Sequence, residues 1–82
     1  MKTEFAAQES YEISPRFRKL IEERIARLEQ DAAHDEAEVA RLDDVDHIRQ
    51  QLRLVAVERA EALRMRLFLD RSRTRQRTLF DV

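Results

Sequence analysis

Three features of the 82-residue sequence predict an all-α fold, an antiparallel helical hairpin that dimerises into a four-helix bundle between flexible termini. Glycine is absent and there is a single proline, so cheap positive-φ turns are missing, and with them tight β-hairpins and phosphate-cradling loops. Charged residues make up 40% of the chain, and Ala, Leu, Glu and Arg, all strong helix formers, dominate it. Two long stretches carry apolar residues at three-and-four spacing, with an aspartate cluster between them.

Residues 1–14 show no helical period and form an N-terminal arm, in which Phe5, Tyr11 and Ile13 are the apolar members. Ser14-Pro15 starts the first helix: serine caps free backbone donors, and proline suits a first position where no N–H is needed. Over about 15–42, Phe17, Leu20, Ile21, Ile25, Leu28, Ala32, Val39 and Leu42 fall on one side, interrupted by Arg24 and Asp35. The expected turn is Asp43-Asp44-Val45-Asp46, with Asp44 as cap and Asp46 at the positive end of the next helix. Asp35-x-x-Glu38 is a rival break resembling a capping box.

The second helix, about 45–70, has two apolar stripes. Val45, Ile48, Leu52, Val55, Ala56, Leu63 and Leu67 form one; Leu54, Val57, Met65 and Phe68 form the other, roughly opposite. One neighbouring helix covers one stripe, so Leu54, Val57, Met65 and Phe68 are the expected dimer or partner interface. A core this small, without staples, favours such association. Arg24, Asp35 and Arg59, set in apolar stripes, read as register-fixing ion-pair residues.

Cysteine is absent, which excludes disulfides and thiolate metal sites. Asp31-x-x-His34 and Asp44-x-x-His47 lie beside expected helix ends, where capping and salt bridging account for them, so no metal and no cofactor is expected. With no nucleotide loop and no nucleophile–base pairing, the chain reads as non-enzymatic, without a small-molecule substrate. No apolar run is long enough for a membrane span and no signal-peptide plan is present, which points to the cytoplasm.

Net charge is −1, but the charges are segregated. Acids crowd the stretch from Asp31 to Asp46, whereas from Arg64 to Arg77 the only acid is Asp70. Residues 71–82 form an arginine-rich tail in which Arg71, Arg73, Arg75 and Arg77 alternate with small or polar residues. In an extended chain all four point the same way, an edge suited to a DNA backbone.

The tail ends in Gln76-Arg77-Thr78-Leu79-Phe80-Asp81-Val82. An exposed Leu-Phe pair near a chain end marks a contact site. Residues 76–80, QRTLF, resemble the Gln-x-x-Leu-Phe motif by which bacterial polymerases and repair factors dock on the DNA polymerase sliding clamp. The resemblance spans five residues. It implies that Gln76 bonds at the rim of an apolar pocket which Leu79 and Phe80 fill, with Arg77 and Thr78 as spacers. The expected function is a small adaptor or inhibitor, of host or phage, that regulates DNA replication or repair through the clamp. The alternative is a helical interaction module, such as an inhibitor, an antitoxin-like partner or an assembly subunit, acting through the second apolar face without the clamp.

Overall fold

The computed structural model describes residues 11–74; Gln76, Leu79 and Phe80, with Arg75 and Arg77, lie outside them. The chain is a helical hairpin. Its elements are β1 (Tyr11–Ile13), α1 (Pro15–Glu38), a 3-10 turn (Val39–Arg41), α2 (Val45–Asp70) and β2 (Ser72–Thr74).

Each helix starts where the sequence places a cap. Ser14 Oγ accepts the Phe17 N–H at 3.1 Å, and Pro15 takes the first position. Asp44 Oδ2 accepts the His47 N–H at 3.4 Å, and Asp46 sits in the first turn of α2. The helix stops are less ordinary, because no glycine is there to take a left-handed φ. α1 tightens after Glu38 into the 3-10 turn, whose end is the Leu42 N–H bonded to Val39 O at 3.1 Å; the first helix is thus shorter than the period alone suggests. α2 ends with the Arg71 N–H on Leu67 O and Phe68 O, while the Ser72 hydroxyl donates to Phe68 O at 2.7 Å. Among the described residues none has positive φ.

The seam between the helices runs through Ile25 and Ala32 on α1 and through Val55, Ala62 and Leu69 on α2, all buried. The α2 residues are spaced by seven, the spacing of a coiled-coil seam. Ala32 is 0% and Ala62 2% exposed, so small side chains let the helices approach closely. This seam lies between the two stripes read from the sequence. Of the first stripe, Val45, Leu52, Leu63 and Leu67 are exposed, while Val55 is buried and Ile48 half-buried. On α1, Ile21 and Leu28 pack against the core, but Phe17 and Leu20 remain exposed.

The arm is tied down where it meets α1. β1 pairs with β2 in parallel, in the register Tyr11↔Ser72, Glu12↔Arg73 and Ile13↔Thr74. Parallel strands need a long crossover, and here the helical hairpin is that crossover. Ile13 is buried with Ile25, Ala62 and Leu69, so the ribbon closes the open end of the hairpin. Arg18 Nη1 adds a hydrogen bond to Thr74 Oγ1 at 3.4 Å. The arm was expected to be loose throughout; burial of Ile13 is the physical reason that its last residues are not.

Candidate interaction surfaces

Two helices side by side form one layer, and the molecule is 10 Å thick in its thinnest dimension, about the diameter of one helix. A single layer has two broad faces, and each carries its own set of contacts across the seam.

On one face the helices are joined by ion pairs. Arg66 grips Glu29 through two parallel bonds, Nε to Oε2 and Nη2 to Oε1, each 2.8 Å. Arg59 Nη2 meets Glu36 Oε1 at 2.7 Å, and this pair holds the Glu36 carboxyl below its ordinary value. Arg59 is therefore a register residue, as its position among apolar neighbours suggests. Leu63 borders an open depression on this face together with Glu29, Arg59, Ala62 and Arg66. Val45, Leu52 and Leu67 follow Leu63 around the same side of α2 by helical spacing.

The opposite face is held differently. The rings of Phe17 and Phe68 meet edge to face with centroids 6.4 Å apart. Gln51 Nε2 donates to Asp35 O at 3.0 Å. Beside this contact, Glu58 turns its carboxyl toward Asp35 and Asp31. Its Oε1 is enclosed without a hydrogen-bond partner. Desolvation first, then a hydrogen bond and repulsion from Asp35 and the charge of Asp31, raise the Glu58 pKa.

Of the four residues expected to form the second interface, the structure divides two from two. Met65 and Phe68 are half-buried and pack against the hairpin's own core. Leu54 and Val57 are exposed, by 44% and 54%. Met65 stands nearer the seam than Val57 does, whereas Leu54 and Phe68 occupy the same heptad position and differ in what lies beside them: Phe68 meets the Phe17 ring near the ribbon end of the hairpin.

The first arginine of the tail is not in extended chain. Arg71 is the helical C-cap of α2, with φ −89° and ψ −4°, so it does not share the extended edge with Arg73. From Ser72 the alternation holds: Ser72 and Thr74 are half-buried and Arg73 is exposed beside Glu12. The two histidines sit in ordinary helical contacts, His34 with Glu38 at 3.8 Å and His47 with Asp44 at 4.0 Å. Among the described residues no three His, Cys, Asp or Glu side chains are placed to hold a metal ion, and no helix is long and apolar enough to cross a membrane.

Glu58 escaped the sequence reading. Its signal was available: an acid three residues after Val55 and four before Ala62 stands on the seam side of a heptad pattern. No family model matches the chain, and neither a curated protein nor a solved structure matches it.

Proposed function

We propose that this chain is a small non-enzymatic adaptor or inhibitor that docks on the bacterial DNA sliding clamp through its C-terminal tail. In this reading it regulates replication or repair as a homodimer in the cytoplasm. The observation that carries the reading is the sequence Gln76-Arg77-Thr78-Leu79-Phe80. Gln76 serves the rim of the clamp pocket, and Leu79 and Phe80 fill it. The fold supplies a base for such a tail: β2 is paired to β1 and tied to α1 through Arg18, and its chain continues directly toward residue 76. Arg73 is exposed on that strand; with Arg75 and Arg77 it offers cations to the duplex that a clamp encircles. Two tails on one dimer strengthen docking through effective concentration.

The test is binding of the full-length protein to purified clamp, with and without Leu79→Ala and Phe80→Ala together. The double variant is expected to bind at least about tenfold more weakly, the scale of losing pocket-filling anchors. Equal binding by parent and variant contradicts the reading.

A second reading is favoured by one observation, the exposure of Leu54 and Val57 on α2. In it the hairpin is an interaction module, an inhibitor, antitoxin-like partner or assembly subunit, and the tail does not engage a clamp. Leu54→Glu then abolishes partner binding, whereas the tail substitutions leave it intact.

A further inference from the structure

We propose that the face carrying the Glu29–Arg66 and Glu36–Arg59 pairs is a homodimer surface, on which a second copy stacks with its hairpin pointing the same way. Each α2 then lies over the α1 of the other copy. This deepens the homodimer reading by naming its surface and orientation, and it does not depend on clamp docking.

The first ground is side-chain volume. On this face α2 presents mainly large residues, with Leu52, Leu63 and Leu67 each exposed by about half and Val45 by 62%, and Ala56 the small member of the row. On the same face α1 presents Ala26, Ala33 and Ala37, all exposed. Ala26 and Ala33 stand three before and four after Glu29, and so lie on the ion-paired side of α1. Rows of large and small side chains interdigitate when each row meets its opposite.

Charge is the second ground. The acids Glu22, Glu29 and Glu36 are spaced by seven along α1, and Arg59 and Arg66 by seven along α2. The contacts of shortest reach fix the levels: Gln51 bonds to Asp35 O and the Phe17 ring meets Phe68, so Leu52 lies level with Ala33, and the alanine nearest Leu63 is Ala26. The longer Arg66–Glu29 and Arg59–Glu36 pairs slant between levels, each side chain leaning toward the N-terminus of its own helix. A two-fold axis parallel to the helices keeps those levels. Leu52 of one copy falls over Ala33 of the other, Leu63 lies nearest Ala26, and the arginines of each approach the glutamates of both.

The opposite-pointing arrangement lacks this match. It stacks α2 on α2 and α1 on α1, which sets leucine against leucine, leaves gaps between alanines and brings like charges together. The other broad face is less suited to a second copy, because Asp31, Asp35 and Glu58 gather there. Two layers of helix also meet the ordinary architecture of a domain, which one layer does not.

The chain has no cysteine, so Asp43→Cys gives one spin-label site, in the turn between the helices. Sedimentation of the full chain is expected to return twice the chain mass. The label-to-label distance is expected below about 25 Å, since stacked helices lie about 8–10 Å apart. Opposite-pointing hairpins separate the two turns by a helix length, about 39 Å for the 26 residues of α2. Leu63→Glu is expected to weaken self-association at least about tenfold, and Leu54→Glu on the other face to leave it unchanged. A monomeric mass at high concentration, a distance of a helix length, or dissociation by Leu54→Glu with Leu63→Glu without effect overturns the proposal. The mass and distance readings decide association and orientation with both helix faces unaltered, and Leu54→Glu decides the face even where Leu63→Glu fails to fold: an unchanged dimer supports the ion-paired face, and dissociation overturns it. Clamp binding is read separately, and its loss would leave these outcomes untouched.

Discussion

Glu58 occupies a seam position where a hairpin ordinarily places an apolar residue. Its carboxyl faces Asp35 and Asp31 with one oxygen enclosed and unpartnered. Desolvation first, and the neighbouring Asp35 and Asp31 carboxyls after it, disfavour a second negative charge there, so the native structure favours the protonated form of Glu58. Its folded pKa is raised above the unfolded value. The stability it contributes is therefore present below the unfolded pKa and lost as pH rises through the folded one. Glu36 works in the opposite sense. Arg59 lowers its pKa, and its contribution is present above the unfolded pKa and lost as pH falls through the folded one. Glu58→Gln removes the first effect alone. The variant is expected to be more stable than the parent near neutral pH, with the difference shrinking as pH falls through the raised folded pKa toward the ordinary carboxylate range. Urea midpoints of the two proteins across that range check this; a constant difference, or one that grows on acidification, contradicts it. The exposed Glu29–Arg66 fork contributes on the order of 0.5–1 kcal/mol and acts more on register than on stability.

At the scale of elements, the helix starts rest on single side chains. Removing either cap, by Ser14→Ala or Asp44→Ala, is expected to cost about 1 kcal/mol, seen as a lower midpoint with unchanged slope in urea. A change near zero would mean that the caps observed at 3.1 and 3.4 Å are replaced by water at no loss. These starts were legible in the sequence because capping is local: Ser14-Pro15 and Asp44 announce themselves within four residues. The seam was legible only in outline. On the first helix the apolar side already included Ile25 and Ala32, whereas on the second the packed line runs between the two stripes through Ala62 and Leu69, which neither stripe contains; the small size of Ala62 permits close approach and hides it from a search for bulky apolar residues. The β1–β2 pairing was not legible. It joins two three-residue segments about sixty positions apart, and neither is long enough to show a period. Arg71 was misplaced for a related reason. Alternation of residue types continues one step into the helix end, while the backbone turns extended only at Ser72.

The molecule as a whole is a scaffold one helix thick, closed at one end by a short turn and at the other by a two-stranded ribbon. Apolar side chains face outward on both sides of that layer, and the ribbon sets the point from which the C-terminal segment departs. A co-pointing dimer places both departures at the same end, which suits two tails acting on one ring-shaped partner. The reading of the tail itself rests on five residues, and the most direct measurement follows those residues one by one. In NMR spectra of the isotope-labelled full-length chain, purified clamp is expected to broaden or shift the backbone signals of Gln76, Leu79 and Phe80. Those of Val55, Ala62 and Leu69 at the seam should keep their chemical shifts. Unperturbed tail signals at saturating clamp, or perturbation confined to the helices, would contradict clamp docking through the tail.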